Sequence, residues 1–127
     1  MGRIQPRPTD AELAILRVLW ERGPSTVRQV HEAMADTRDT GYTTTLKLMQ
    51  IMAEKGLVKR NETARTHVYA ATAGEAQTQQ QLVKDFVDRA FGGSAAALVL
   101  RALSAGDATD DELKEIRKLI DDYREKR

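Results

Sequence analysis

Cysteine is absent from all 127 positions, which excludes disulfide staples and thiolate metal sites and leaves packing as the source of stability. Aromatic residues amount to 5% and charged residues to 31%, the profile of a polar-surfaced chain. The 41% hydrophobic content still suffices for a core and suits a helical scaffold. No apolar run approaches the roughly 20 residues that cross a bilayer. The opening residues, MGRIQPRPTD, also lack the apolar stretch of a secretory signal. A cytoplasmic chain without membrane insertion is the expectation.

An excess of one charge is missing too: the formal net charge of +1 does not by itself imply a nucleic-acid partner. Its distribution is mildly uneven. Residues 1–71 carry 11 Lys and Arg against 8 Asp and Glu, a net +3, and residues 72–127 carry 9 against 11, a net −2. The length allows one ordinary domain, or a domain of about 70 residues with a smaller appendage.

What is present is helical periodicity punctuated by caps. Thr9-Asp10-Ala11-Glu12 has the S/T-x-x-E form of a capping box, in which each of the outer side chains satisfies the other's backbone donor. Leu13, Leu16, Leu19 and Trp20 then recur at helical spacing, with Trp20 a core anchor, and Gly23-Pro24 ends the first helix. Ser25 or Thr26 can cap a second helix with apolar Val27, Val30 and Met34. After the polar DTRDTGY loop, a third helix runs through TTTLKLMQIMAEKG, with Thr45, Leu48, Met49 and Met52 on its apolar face and Gly56 as its brake.

The opposite face of that helix presents Thr43, Thr44, Leu46, Lys47 and Gln50, a hydroxyl, amide and cationic set suited to phosphates and base edges. A solvated surface helix carries similar residues, so the face alone does not decide. Beyond Gly56 the period becomes alternating, LVKRN, then ETAR, then THVYA, which predicts a β-hairpin. Its Lys59, Arg60 and Arg65 could hold the phosphate backbone beside a helix in the major groove, or could simply be solvated.

The rest predicts three further helices. Val83, Phe86, Val87, Ala90 and Phe91 form one apolar stripe, and GGS at 92–94 breaks it. A short helix follows near Leu98 to Leu103. Thr109-Asp110-Asp111-Glu112 repeats the capping box before Leu113, Ile116, Ile120 and Tyr123. About 55 residues of helix cannot enclose an adequate core alone. The tail therefore folds back on the first domain or pairs with a second copy; the second copy is favoured because it gives each third helix a mate for two half-sites. The dimerisation residues expected are Val83, Phe86, Val87, Phe91, Leu98, Leu103, Leu113, Ile116, Ile120 and Tyr123.

Enzymatic patterns are not completed. His31-Glu32 begins H-E-x-x-H, but Ala35 occupies the second histidine position. His67 falls in the hairpin as a packing or backbone-contact residue, no serine stands in a nucleophile elbow, and Asp110, Asp111 and Glu112 read as helix-start carboxylates. No catalytic residue, metal site or cofactor is expected. A module that docks a protein partner through the same third helix and a regulator that senses a small ligand directly in the tail are the alternatives to DNA binding. An acidic third-helix face would favour the former, and no ligand pocket is marked in the sequence for the latter.

The segments TDAELAILRVLW, TVRQVHEAM, YTTTLKLMQIMAEKGLV and RNETARTHVYA, taken in this order with a helical tail, resemble the penicillinase-repressor family of winged-helix regulators. That family includes methicillin-resistance repressors and copper-responsive relatives. The resemblance implies a mainly α fold with a β-hairpin wing, divided as a winged helix-turn-helix DNA-binding domain over 1–72 and a helical dimerisation domain over 73–127. It further implies a repressor dimer on a pseudo-palindromic operator, with Thr43, Thr44, Lys47 and Gln50 on the recognition surface and Arg65 and Tyr69 in the wing pattern. Ile51 departs from it, since relatives usually place a basic residue there.

In antibiotic-responsive members a membrane metallopeptidase sensor triggers cleavage in the tail, which separates the dimer. The corresponding stretch is ALVLRALSA, where Arg101-Ala102 replaces the Asn-Phe pair of relatives that are cut. Copper-responsive relatives use tail cysteines, and this chain has none.

Overall fold

The computed structural model describes residues 7–126; residues 1–6, part of the stretch read for a secretory signal, lie outside it. The elements are α1 (Asp10–Arg22), α2 (Val27–Met34), α3 (Tyr42–Lys55), β1 (Val58–Asn61), β2 (Val68–Ala71), α4 (Glu75–Ala90), α5 (Ala95–Ser104) and α6 (Asp110–Glu125). The architecture is mainly helical with one antiparallel hairpin, as the periodicity predicts. Two compact units divide between Leu82 and Val83, inside α4. The expected limit at 72/73 falls instead just after the hairpin, which ends at Ala71.

In the N-terminal unit both early helices begin with reciprocal caps. The Glu12 amide donates to Thr9 Oγ1 at 3.2 Å while the Thr9 amide donates to Glu12 Oε1 at 2.9 Å. Thr26 and Gln29 make the same pair at the start of α2. Thr26 rather than Ser25 takes that role because Ser25 is committed elsewhere: its backbone exchanges two hydrogen bonds with Tyr69, at 2.9 and 2.8 Å, forming an isolated bridge beside β2.

The core joins Ile15, Leu16 and Leu19 of α1, Val27, Val30 and Met34 of α2, Met49 and Met52 of α3, and Leu57, Val58 and Tyr69 around the hairpin. Ile15 is fully buried where the α1 spacing suggested Leu13, which is half-buried. Helix α1 packs against α2, α3 and β2 at once, so its buried stripe is wider and rotated from the leucine row. Trp20 packs at the edge of this core, its indole N–H donating to the Ala73 carbonyl at 2.9 Å.

Helix α3 ends at Gly56, whose φ of 84° is left-handed; the Leu57 amide reaches back to the Met52 carbonyl at 2.9 Å. That 6→1 closure turns the chain directly into β1. The hairpin pairs Val58 with Ala71, Lys59 with Ala70, Arg60 with Tyr69 and Asn61 with Val68.

Beyond Leu82, Ser94 caps α5 and the Thr109–Glu112 capping box starts α6. The Thr109 amide and hydroxyl hydrogen bonds hold the Glu112 carboxyl below its ordinary value. The Phe86 and Phe91 rings meet edge to face, centroids 5.6 Å apart. Val87 is the buried residue of α4, and neither α5 nor α6 buries any.

Candidate nucleic-acid interface

Helix α3 is two-faced. Thr45, Met49 and Met52 are buried, whereas Thr43, Thr44, Lys47 and Gln50 are exposed along the other side at helical spacing. Leu46 lies between them, half-buried and packed against the core, so only part of its side chain reaches the exposed face. Gly41 precedes the helix without a side-chain cap. The open amides of the first turn therefore add partial positive charge beside the two threonines.

The wing supplies the other expected residues: Lys59 and Arg60 on β1 and Arg65 in the turn are all exposed. Arg60 is oriented rather than loose. A hydrogen bond to the Tyr69 hydroxyl, then the charge of Glu62, raise its guanidinium above its ordinary value, and Glu62 lies 3.6 Å away. His67, 43% exposed, also points at Glu62 across 3.7 Å.

Between α2, α3 and the wing runs an open cleft of about 710 Å³, whose lining includes Leu46, Gln50, Arg60 and Arg65. Four of the eight expected nucleic-acid residues thus share one concavity, while Thr43, Thr44, Lys47 and Lys59 lie outside its lining. Among the lining residues absent from the expected set are the exposed Arg28 and Tyr42. Their place in the cleft follows from the packing of α2 on α3, and a cation two positions beyond the Thr26 cap is the faint sequence signal.

The expected tail residues divide by exposure. Val83, Phe86, Leu103, Leu113, Ile120 and Tyr123 are exposed, Phe91, Leu98 and Ile116 half-buried, and Val87 buried. Arg101 and Ala102 are exposed within α5. Among the described residues no cluster of His, Cys, Asp or Glu is arranged to hold a metal ion, and no helix is long and apolar enough to cross a membrane.

Comparison with known proteins finds relatives that match most of the chain. A transcriptional regulator BlaI of Mycobacterium tuberculosis is 41% identical over 93 residues, covering 71% of this chain and 67% of that protein. The penicillinase repressor of Bacillus licheniformis is 20% identical over 122 residues, 96% of this chain and 95% of that one. The methicillin resistance regulatory protein MecI of Staphylococcus aureus is 20% identical over 112 residues, covering 88% and 91%.

Two solution structures share the fold at 21% identity and a TM-score of 0.51, each covering 59% of this chain and 92% of the other: the DNA-binding domain of the repressor BlaI, and monomeric Bacillus licheniformis BlaI bound to the blaP half-operator. The N-terminal unit is accordingly a winged helix. With residues 8–122 matching the family model for the penicillinase repressor, the chain belongs to the penicillinase repressor family.

Proposed function

We propose that the chain is a cytoplasmic transcriptional repressor that binds a pseudo-palindromic operator in double-stranded DNA as a homodimer. The observation that carries this is the row of Thr43, Thr44, Lys47 and Gln50, exposed on a helix whose other face is locked in the core and flanked by Lys59, Arg60 and Arg65 of the wing. A rigid helix with short polar side chains at its N-terminal end is what a major groove admits. Family membership supports the same reading.

In this proposal 1–72 is the DNA-binding domain and 73–127 the dimerisation domain. Lys47 reaches guanine or phosphate, Gln50 an adenine edge, and the Thr44 methyl or the free part of Leu46 a thymine methyl. Lys59, Arg60 and Arg65 contribute mainly sequence-independent affinity through phosphates. Two tails bury their exposed apolar residues against each other, so each half-site receives one α3.

Repression ends when that pairing is lost, by inactivation or proteolysis of the tail on a signal from a membrane metallopeptidase sensor. Arg101 and Ala102 are exposed in α5 of the single chain.

The test compares Lys47→Ala and Lys59→Ala on a duplex selected by the parent protein and on an unrelated duplex. Lys59→Ala is expected to weaken both alike and lower the salt slope by about one. Lys47→Ala is expected to cost about 1–3 kcal/mol on the selected duplex and less on the unrelated one. Equal losses on both duplexes for Lys47→Ala would remove its base-reading role.

A further inference from the structure

The second helix brings a cation to the same surface. Arg28 is exposed on the first turn of α2, with its guanidinium carbon 5.7 Å from the centroid of the Tyr42 ring. Tyr42 is itself held edge-on by His31, centroids 5.9 Å apart at 87°. The first residue of α3 is thus gripped by two side chains of α2. Among the described residues Arg28 has no carboxylate partner within ion-pair distance. Stacking on an aromatic face orients a guanidinium without neutralising it, and leaves its N–H edge open to an acceptor.

Arg60 and Arg65 line the same cleft from the wing, and Gln50 from α3. Three guanidinium groups from separate elements therefore converge on one concavity, with Glu62 offsetting part of the charge beside Arg60. Like charges gathered on one surface favour an anionic occupant. The cleft lies between the helix assigned to the major groove and the wing that flanks it. A backbone strand passing from one to the other has to cross it.

We propose that this cleft seats a backbone phosphodiester of the bound duplex, with Arg28, stacked on Tyr42, as a positioning residue that sets how α3 lies in its groove. The proposal rests on the DNA-binding reading and extends the interface to α2. A flat guanidinium fork can present two N–H groups to one phosphate, which fixes direction as well as charge.

The experiment titrates the full chain, Arg28→Gln and Arg28→Lys with a labelled mixed-sequence duplex about three helical turns long, over a series of salt concentrations. Loss of one phosphate contact lowers the slope of log K against log salt by about one, which corresponds to about eightfold weaker binding for Arg28→Gln at about 0.1 M salt. Arg28→Lys, which keeps the charge, is expected to retain the parent slope. Thermal midpoints of all three proteins are expected to agree, since Arg28 is exposed.

An unaltered slope in Arg28→Gln, whether or not affinity changes, overturns this assignment while leaving the repressor reading in place. A parent chain that binds no duplex overturns both.

Discussion

A carboxylate whose side chain is 2% exposed needs partners, and Glu12 has two: the Thr9 amide, and Lys55 Nζ, which donates to both carboxylate oxygens at 3.0 and 2.8 Å. Burial pushes its carboxyl up. The hydrogen bonds from Lys55 and Thr9 and the Lys55 charge outweigh that and hold it below its ordinary value of 4.5. A carboxyl depressed in the folded state contributes stability that is fully present above its unfolded value and is lost as pH falls through the folded one. Glu12→Gln keeps an N3 side chain able to cap but removes the charge. The expected cost is about 1–2 kcal/mol at neutral pH by denaturant unfolding, allowing for the partly exposed Lys55. That difference from the parent should narrow once the pH drops below 4.5. A difference that persists undiminished in strong acid would show that the charge is not its source.

Among the elements, α3 depends most on how it ends, because Gly56 both stops the helix and aims the chain into the wing. A Cβ at Gly56 would meet nothing within 4 Å, so a substitution there strains only the backbone at φ 84°. Gly56→Ala is expected to lower unfolding free energy by about 1–2 kcal/mol, read by thermal or denaturant melting. An unchanged or raised stability would contradict this description of the turn. Features of this local kind were legible in the sequence: the Thr9–Glu12 and Thr109–Glu112 boxes, the Gly56 stop, the alternation of the hairpin, and the exposed period of Thr43, Thr44, Lys47 and Gln50. Features that need two elements were not. Lys55 lies 43 residues from Glu12, the Ser25–Tyr69 bridge is a single residue pair without any period, and the Arg28–Tyr42 stack exists only where α2 packs against α3. Leu46 and Leu13 illustrate the same limit, because a helix contacted from several sides half-buries residues that a single-stripe pattern sorts wholly in or out.

For the molecule as a whole, the decisive contrast lies between its two units. The N-terminal unit closes a core around Ile15, Val30, Met49 and Tyr69. The tail buries Val87 and leaves Phe86, Leu100, Leu103, Leu119, Ile120 and Tyr123 exposed. Apolar surface of this kind on helices without a core of their own calls for a covering partner, and in the repressor reading that partner is a second copy. A dimer of winged helices reads DNA in two-fold related pieces whose centres are one duplex turn apart, or a multiple of it. Selection of bound sequences from a random duplex library by the full chain measures both properties at once. The expected product is a pair of inverted half-sites with centres about 10 base pairs, or a whole multiple of that, apart. Recovery of no enriched sequence, or of a solitary half-site with no symmetric mate, would contradict it.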